Sequence, residues 1–66
     1  MQIIDSVPAH TLEVGDLALV EGDQLEVTSI DDTDPDTLVV SGYSHDDGGI
    51  VDHPVPAFDL IDLWSA

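Results

Sequence analysis

The chain contains no lysine and no arginine, against 15 aspartates and glutamates, so its formal net charge at pH 7 is −15. An average domain of this size carries roughly eight basic side chains. Without them there is no basic patch for binding nucleic acid directly or for holding an anionic membrane surface. Cysteine is also absent, which excludes disulfide staples and thiolate metal sites and leaves the redox compartment unread. No positive segment precedes an apolar stretch, and no apolar run approaches the length of a membrane span. The expected location is the cytoplasm. Aromatic residues are scarce, with one Phe, one Trp and one Tyr. At 66 residues the expectation is one small domain over residues 1–66, too short to wall a deep substrate cleft and keep a core.

What is present argues for folding. Hydrophobic residues make up 42 % of the chain and the mean hydropathy is +0.12. Disordered chains combine high charge with low hydrophobicity, and the second half of that signature is missing. The reading is a folded, self-repelling domain with an anionic surface that salt stabilises. With no base available, its carboxylates are relieved only by solvent, counter-ions, backbone N–H groups or a partner.

Along the chain, "QII" opens as a short strand and "SVPAHTLEVGD" follows as an irregular entry, since Pro8 forbids a central strand there. Leu17 to Val20 and the segment marked by Leu25, Val27 and Ile30 read as a hairpin around Glu21-Gly22-Asp23. "LVVSGYS" is a β-branched strand, and "HDDGGIVDHPV" carries the plainest hairpin signal. A three-residue loop at Asp47 to Gly49 sets Tyr43 and His45 opposite His53 and Val51, though other loop lengths change that register. In the tail, Ala57, Leu60, Ile61 and Trp64 have helical spacing. Pro54, Pro56 and the β-branched context favour instead a turn at Pro56 to Asp59 and a last strand at Leu60 to Trp64. A short C-terminal helical turn is the alternative. The fold class expected is all-β, a small barrel of four to five short antiparallel strands.

Leu12, Gly15 and Asp16 lead into the first hairpin as an L-x-x-G-D element. With the later segments they make the chain resemble a small SH3-like barrel of about five strands. Its size and acidity are also similar in style to acidic accessory proteins of tailed bacteriophages. Many SH3-like barrels bind nucleic acid through basic residues, and this chain departs from them on that charge.

The densest acidic stretch is "DDTDPDT", residues 31–37. Asp32, Asp34 and Asp36 copy the first three ligand positions of an EF-hand loop. Thr37 then stands where Gly is needed and Tyr43 where Glu is needed, so that reading fails. Asp and Asp-Pro initiate turns, and locally this is a turn between two strands. A turn alone does not account for the complete lack of lysine. Carboxylates spaced along rigid turns can imitate phosphates and occupy a basic protein groove. The candidate partner-binding residues are Glu21, Asp23, Asp31, Asp32, Asp34, Asp36, Asp46 and Asp47, all placed in expected turns. Trp64 joins them as a part-exposed contact, although a core position is the more ordinary one.

His45 and His53 with Asp46, Asp47 and Asp52 offer nitrogen and oxygen donors but match no zinc spacing. Neighbouring carboxylates there favour the imidazolium form. Ser44-His45-Asp46 holds the residue types of a hydrolytic triad, yet consecutive strand residues face opposite ways. Phe58 is expected in the core. No catalytic residue, metal or cofactor is expected. The function expected is non-enzymatic binding to a basic, nucleic-acid-binding protein. The alternative is an assembly module that forms a homodimer through an apolar patch near Trp64, its acidity serving solubility or salt adaptation.

Overall fold

A computed structural model of the chain describes residues 2–65. Six strands form one antiparallel sheet: β1 (Gln2–Pro8), β2 (Leu17–Val20), β3 (Asp23–Asp31), β4 (Thr37–Ser44), β5 (Gly49–Pro56) and β6 (Leu60–Ser65). Their spatial order is β1-β6-β2-β3-β4-β5. The only helical element among the described residues is a 3₁₀ turn at Ala9–Thr11. The all-β expectation holds, but the count is six strands and not four to five. β1 is longer than "QII" indicates and takes in Ser6 to Pro8. Its residues from Gln2 to Ser6 are all exposed, so pairing with β6 defines this strand and no buried alternation marks it. Among the described residues no helix is long and apolar enough to cross a membrane.

Proline placement follows from the edges. Pro8 ends β1, and Pro54 and Pro56 lie in β5; these are the two outer strands. A residue that cannot donate to a ladder is tolerated there and blunts the edge against further pairing.

The β2–β3 hairpin is one residue tighter than expected, because Val20 pairs with Asp23. Its loop is Glu21-Gly22, with φ of 50° and 83°. Two successive left-handed residues make the turn whose twist matches the flanking strands, and they place a glutamate where Asn or Gly is usual. Asp23 is therefore the first residue of β3, not part of the turn.

At the β4–β5 hairpin Ser44 pairs with Gly49 and Tyr43 with Ile50. The expected pairing of Tyr43 and His45 with His53 and Val51 is corrected. Gly48 N–H donates to the Ser44 carbonyl, and Asp47 N–H donates to the Ser44 hydroxyl. These bonds close a four-residue loop, and His45 falls in it. The tail is a turn followed by β6, so the helical alternative is excluded. Asp59 N–H donates to the Pro56 carbonyl, while Ala9 and His10 donate to Asp59 and Ala57.

The β5–β6 connection fixes the shape. In a flat sheet these strands lie four spacings apart, about 19 Å. Four peptide steps from Pro56 to Leu60 reach at most about 14 Å. The sheet is therefore curled, and Ala57 N–H donating to the Asp36 carbonyl draws the β5–β6 turn onto the β3–β4 loop. Small and branched side chains fill the inside: Ala18 and Val20 from β2, Leu25 and Val27 from β3, Leu38 and Val40 from β4. Leu12, Ala57 and Ile61 close the open end. Full burial of each Val, Leu or Ile contributes about 1.5–3 kcal/mol.

β3 carries a bulge between Val27 and Ser29. Val27 there exchanges backbone bonds with the Glu13–Asp16 turn: Gly15 N–H donates to the Val27 carbonyl and Val27 N–H to the Asp16 carbonyl. Opposite the bulge, a Cβ on Gly42 would lie 2.5 Å from the Glu26 carbonyl oxygen. That backbone cannot swing aside. Gly42→Ala is expected to cost at least about 2 kcal/mol by overpacking, a fall in Tm of roughly 10 °C for a domain this small. Gly49→Ala, with nothing within 4 Å, should leave Tm nearly unchanged. Equal Tm values for the two variants contradict the close approach.

Candidate functional site: an acidic surface divided between two ends

None of the 15 carboxylates is buried, and many are tied to the chain's own donors. Asp16 accepts from Glu13 N–H at 2.9 Å, Asp46 from Gln24 N–H at 3.2 Å and Asp5 from Ser6 N–H at 2.8 Å. Asp52 and Asp62 accept from the hydroxyls of Ser41 and Ser6. The neutral polar groups and the backbone take over the relief that lysine and arginine ordinarily provide.

The eight turn carboxylates singled out from the sequence do not form one surface. His45 N–H donates to the Gln24 carbonyl, and with the Asp46–Gln24 bond this joins the β2–β3 and β4–β5 turns. Glu21, Asp23, Asp46 and Asp47 therefore gather at one end of the sheet. Asp31, Asp32, Asp34 and Asp36 lie at the other, across the length of β4. Eight strand residues span about 26 Å, and the molecule is 30 Å in its longest dimension.

At the first end His53 acts as a clamp. Its Nε2 is 2.7 Å from Asp23 Oδ2 and its Nδ1 is 3.3 Å from Glu21 Oε2. Only the imidazolium carries two N–H donors, so both contacts are hydrogen bonds when the ring is protonated. The clamp fastens β5 to the β2–β3 turn and reinforces the curl. Glu21 and Asp23 thus have an internal partner. The Asp47 carboxylate accepts no hydrogen bond from the described residues and is free to face a ligand.

At the second end the acidic stretch is a turn, as its composition indicates. Asp31 is the last residue of β3 and not part of the loop. Its Oδ1 accepts from the Thr33 hydroxyl at 2.6 Å and from Thr33 N–H at 2.9 Å. Asp34 Oδ1 accepts from Asp36 N–H at 2.9 Å. Two successive aspartate-capped turns therefore stiffen the loop from within. Pro35 stands between two grooves. One, about 460 Å³, is lined by Asp31, Thr33, Asp34, Thr37 and Val39. The other, about 410 Å³, is lined by His10, Leu12, Ile30, Asp32 and Leu38.

Trp64 takes the core position that was the more ordinary of its two readings, and Phe58, expected in the core, is exposed. Trp64 is 5 % exposed and Phe58 is 76 % exposed. The Trp64 indole donates to the Ala18 carbonyl at 3.1 Å, and His45 stacks edge-on against it at 5.2 Å. Burial withdraws Trp64 from the surface, so it offers no part-exposed contact. Phe58 sits in the β5–β6 turn, where it meets His10 at 5.2 Å. A large apolar residue inside an expected turn was the available signal for that exposure, and His10 carried none in the sequence.

Ser44, His45 and Asp46 each serve the hairpin: the Ser44 hydroxyl accepts from Asp47 N–H, His45 packs on Trp64 and Asp46 accepts from Gln24. Among the described residues no group of three or more His, Asp or Glu is arranged to hold a metal ion. No protein-family model matches the chain, and no curated protein or solved structure matches it.

The Thr33 bonds have a measurable consequence. The hydroxyl first, then the N–H, hold the Asp31 carboxyl below the ordinary aspartate value of 3.8. A depressed folded-state value stabilises the fold at pH above the ordinary value, and that contribution is lost as pH falls through the depressed one. Carboxyl-carbon NMR is expected to show Asp31 titrating below 3.8, with Thr33→Ala moving its midpoint upward. An unmoved midpoint in the variant contradicts the assignment.

Proposed function

We propose that this protein is a non-enzymatic binding protein whose carboxylates occupy a basic protein surface, of the kind that ordinarily holds nucleic acid. The observation that carries this reading is the uniform charge together with the hydrogen bonds that hold part of it in place. Fifteen surface carboxylates face no lysine or arginine, and those of Asp31, Asp34 and Asp46 are anchored to backbone N–H groups. A charge held in place before binding loses little freedom on contact, which raises affinity. A uniformly negative field also speeds encounter with a basic partner and makes it sensitive to salt.

The five strands β2 to β6, curled so that a three-residue turn joins β5 to β6, support a small SH3-like barrel as the scaffold. Leu12, Gly15 and Asp16 stand ahead of its first hairpin, and β1 is an addition at one edge. The division of the carboxylates favours a partner that meets one end, or one that spans the length of the sheet and touches both. Homodimerisation through Trp64 lacks its contact, since that side chain is buried.

A competition assay tests the reading. Labelled duplex DNA bound by basic proteins of a cell lysate should be displaced by this protein at physiological salt. Displacement should weaken strongly at about 0.5 M NaCl, because charge-driven binding falls steeply with salt. Asp32→Asn, Asp34→Asn and Asp36→Asn combined should also abolish it. The Asp34→Asn change keeps the side-chain oxygen that accepts from the N–H of residue 36, so the variant separates charge from loop geometry. Failure to displace DNA from any of these proteins contradicts the reading.

A further inference from the structure

The groove beside the β3–β4 loop brings apolar side chains together with a histidine and an aspartate. Leu12 and Leu38, both buried, and the half-buried Ile30 form the floor. His10 and Pro35 form the walls, and Asp32 stands at the edge. At about 410 Å³ it has room for one or two large side chains.

Phe58 stands next to this groove, in edge contact with the His10 wall. The chain has one phenylalanine and leaves it 76 % exposed, with Leu60 two residues on at 69 % exposed. Aromatic side chains are enriched among the anchors of protein interfaces.

Charge decides the occupant. The carboxylates of Asp32 and Asp36 accept no hydrogen bond from the described residues, and Asp59 follows Phe58 in the same turn. A second copy of the chain brings −15 of its own and is repelled. A basic segment is attracted, and its apolar side chain finds the preformed floor.

We infer that the groove between the 3₁₀ turn and the β3–β4 loop receives an apolar side chain from a basic protein segment, which packs against Phe58. This rests on the proposed binding of basic surfaces and names the place and chemistry of the contact. It makes the interaction partly independent of salt, since apolar burial is not screened.

Two synthetic hexapeptides of equal charge test it, titrated into the full chain by calorimetry and amide NMR. One has a Leu-Trp centre with two lysines on each side; the other has a Ser-Gly centre. The first should bind about tenfold tighter at physiological salt, as a buried aromatic anchor does. It should shift the amides of Leu12, Ile30 and Leu38. Phe58→Ser, at an exposed position, should remove the difference and leave the affinity for the second peptide unchanged. Equal affinities, or shifts outside the groove, overturn the inference while leaving the charge-based reading standing. No binding of either peptide overturns both. Shifts at the same amides that follow protein concentration without peptide place a second copy in the groove and overturn it also.

Discussion

A chain with many anions and no lysine or arginine must satisfy its carboxylates from groups that carry no full charge. Here the donors are backbone N–H groups in turns, serine and threonine hydroxyls, and one imidazole. This constraint governs the rest of the structure. Backbone donors are free only where the ladder ends, so the carboxylates that use them collect at turns and strand ends.

The same constraint shapes the interior. A curled sheet of six short strands holds mainly Ala, Val and Leu, with no aromatic side chain in the central cluster. Trp64 is buried apart from that cluster, under His45. The curl is held by a three-residue connection and by the His53 clamp. Each of these also positions acidic turns. The contacts that curl the sheet therefore also fix where its charges stand.

Much of this was legible in residue order. The all-β class, both hairpins, the turn nature of "DDTDPDT" and the final strand follow from alternation, Gly-containing turns and Asp-Pro chemistry. β1 was legible only in part, because an exposed edge strand has no apolar period to display. The β4–β5 register depended on loop length, which the Ser44 hydroxyl and carbonyl decide through contacts that no spacing rule contains. The separation of the acidic residues into two ends follows from pairing, which sequence order does not give. Phe58 departs from its expected core place because it falls in the β5–β6 turn, outside the strands that face the core. The charge on which the proposed binding role rests was legible, and the groove beside Phe58 was not, since its lining comes from the 3₁₀ turn, β3, β4 and their loop.

Binding by preplaced charge requires acidic turns that are stiff before any partner arrives. Amide nitrogen relaxation of the free protein measures this directly, residue by residue. Stiff turns predict order parameters over residues 31–37 close to those of the flanking strands, about 0.85. Values below about 0.6 there would contradict that mechanism, because a loop that loose gains nothing from the bonds of Asp31 and Asp34.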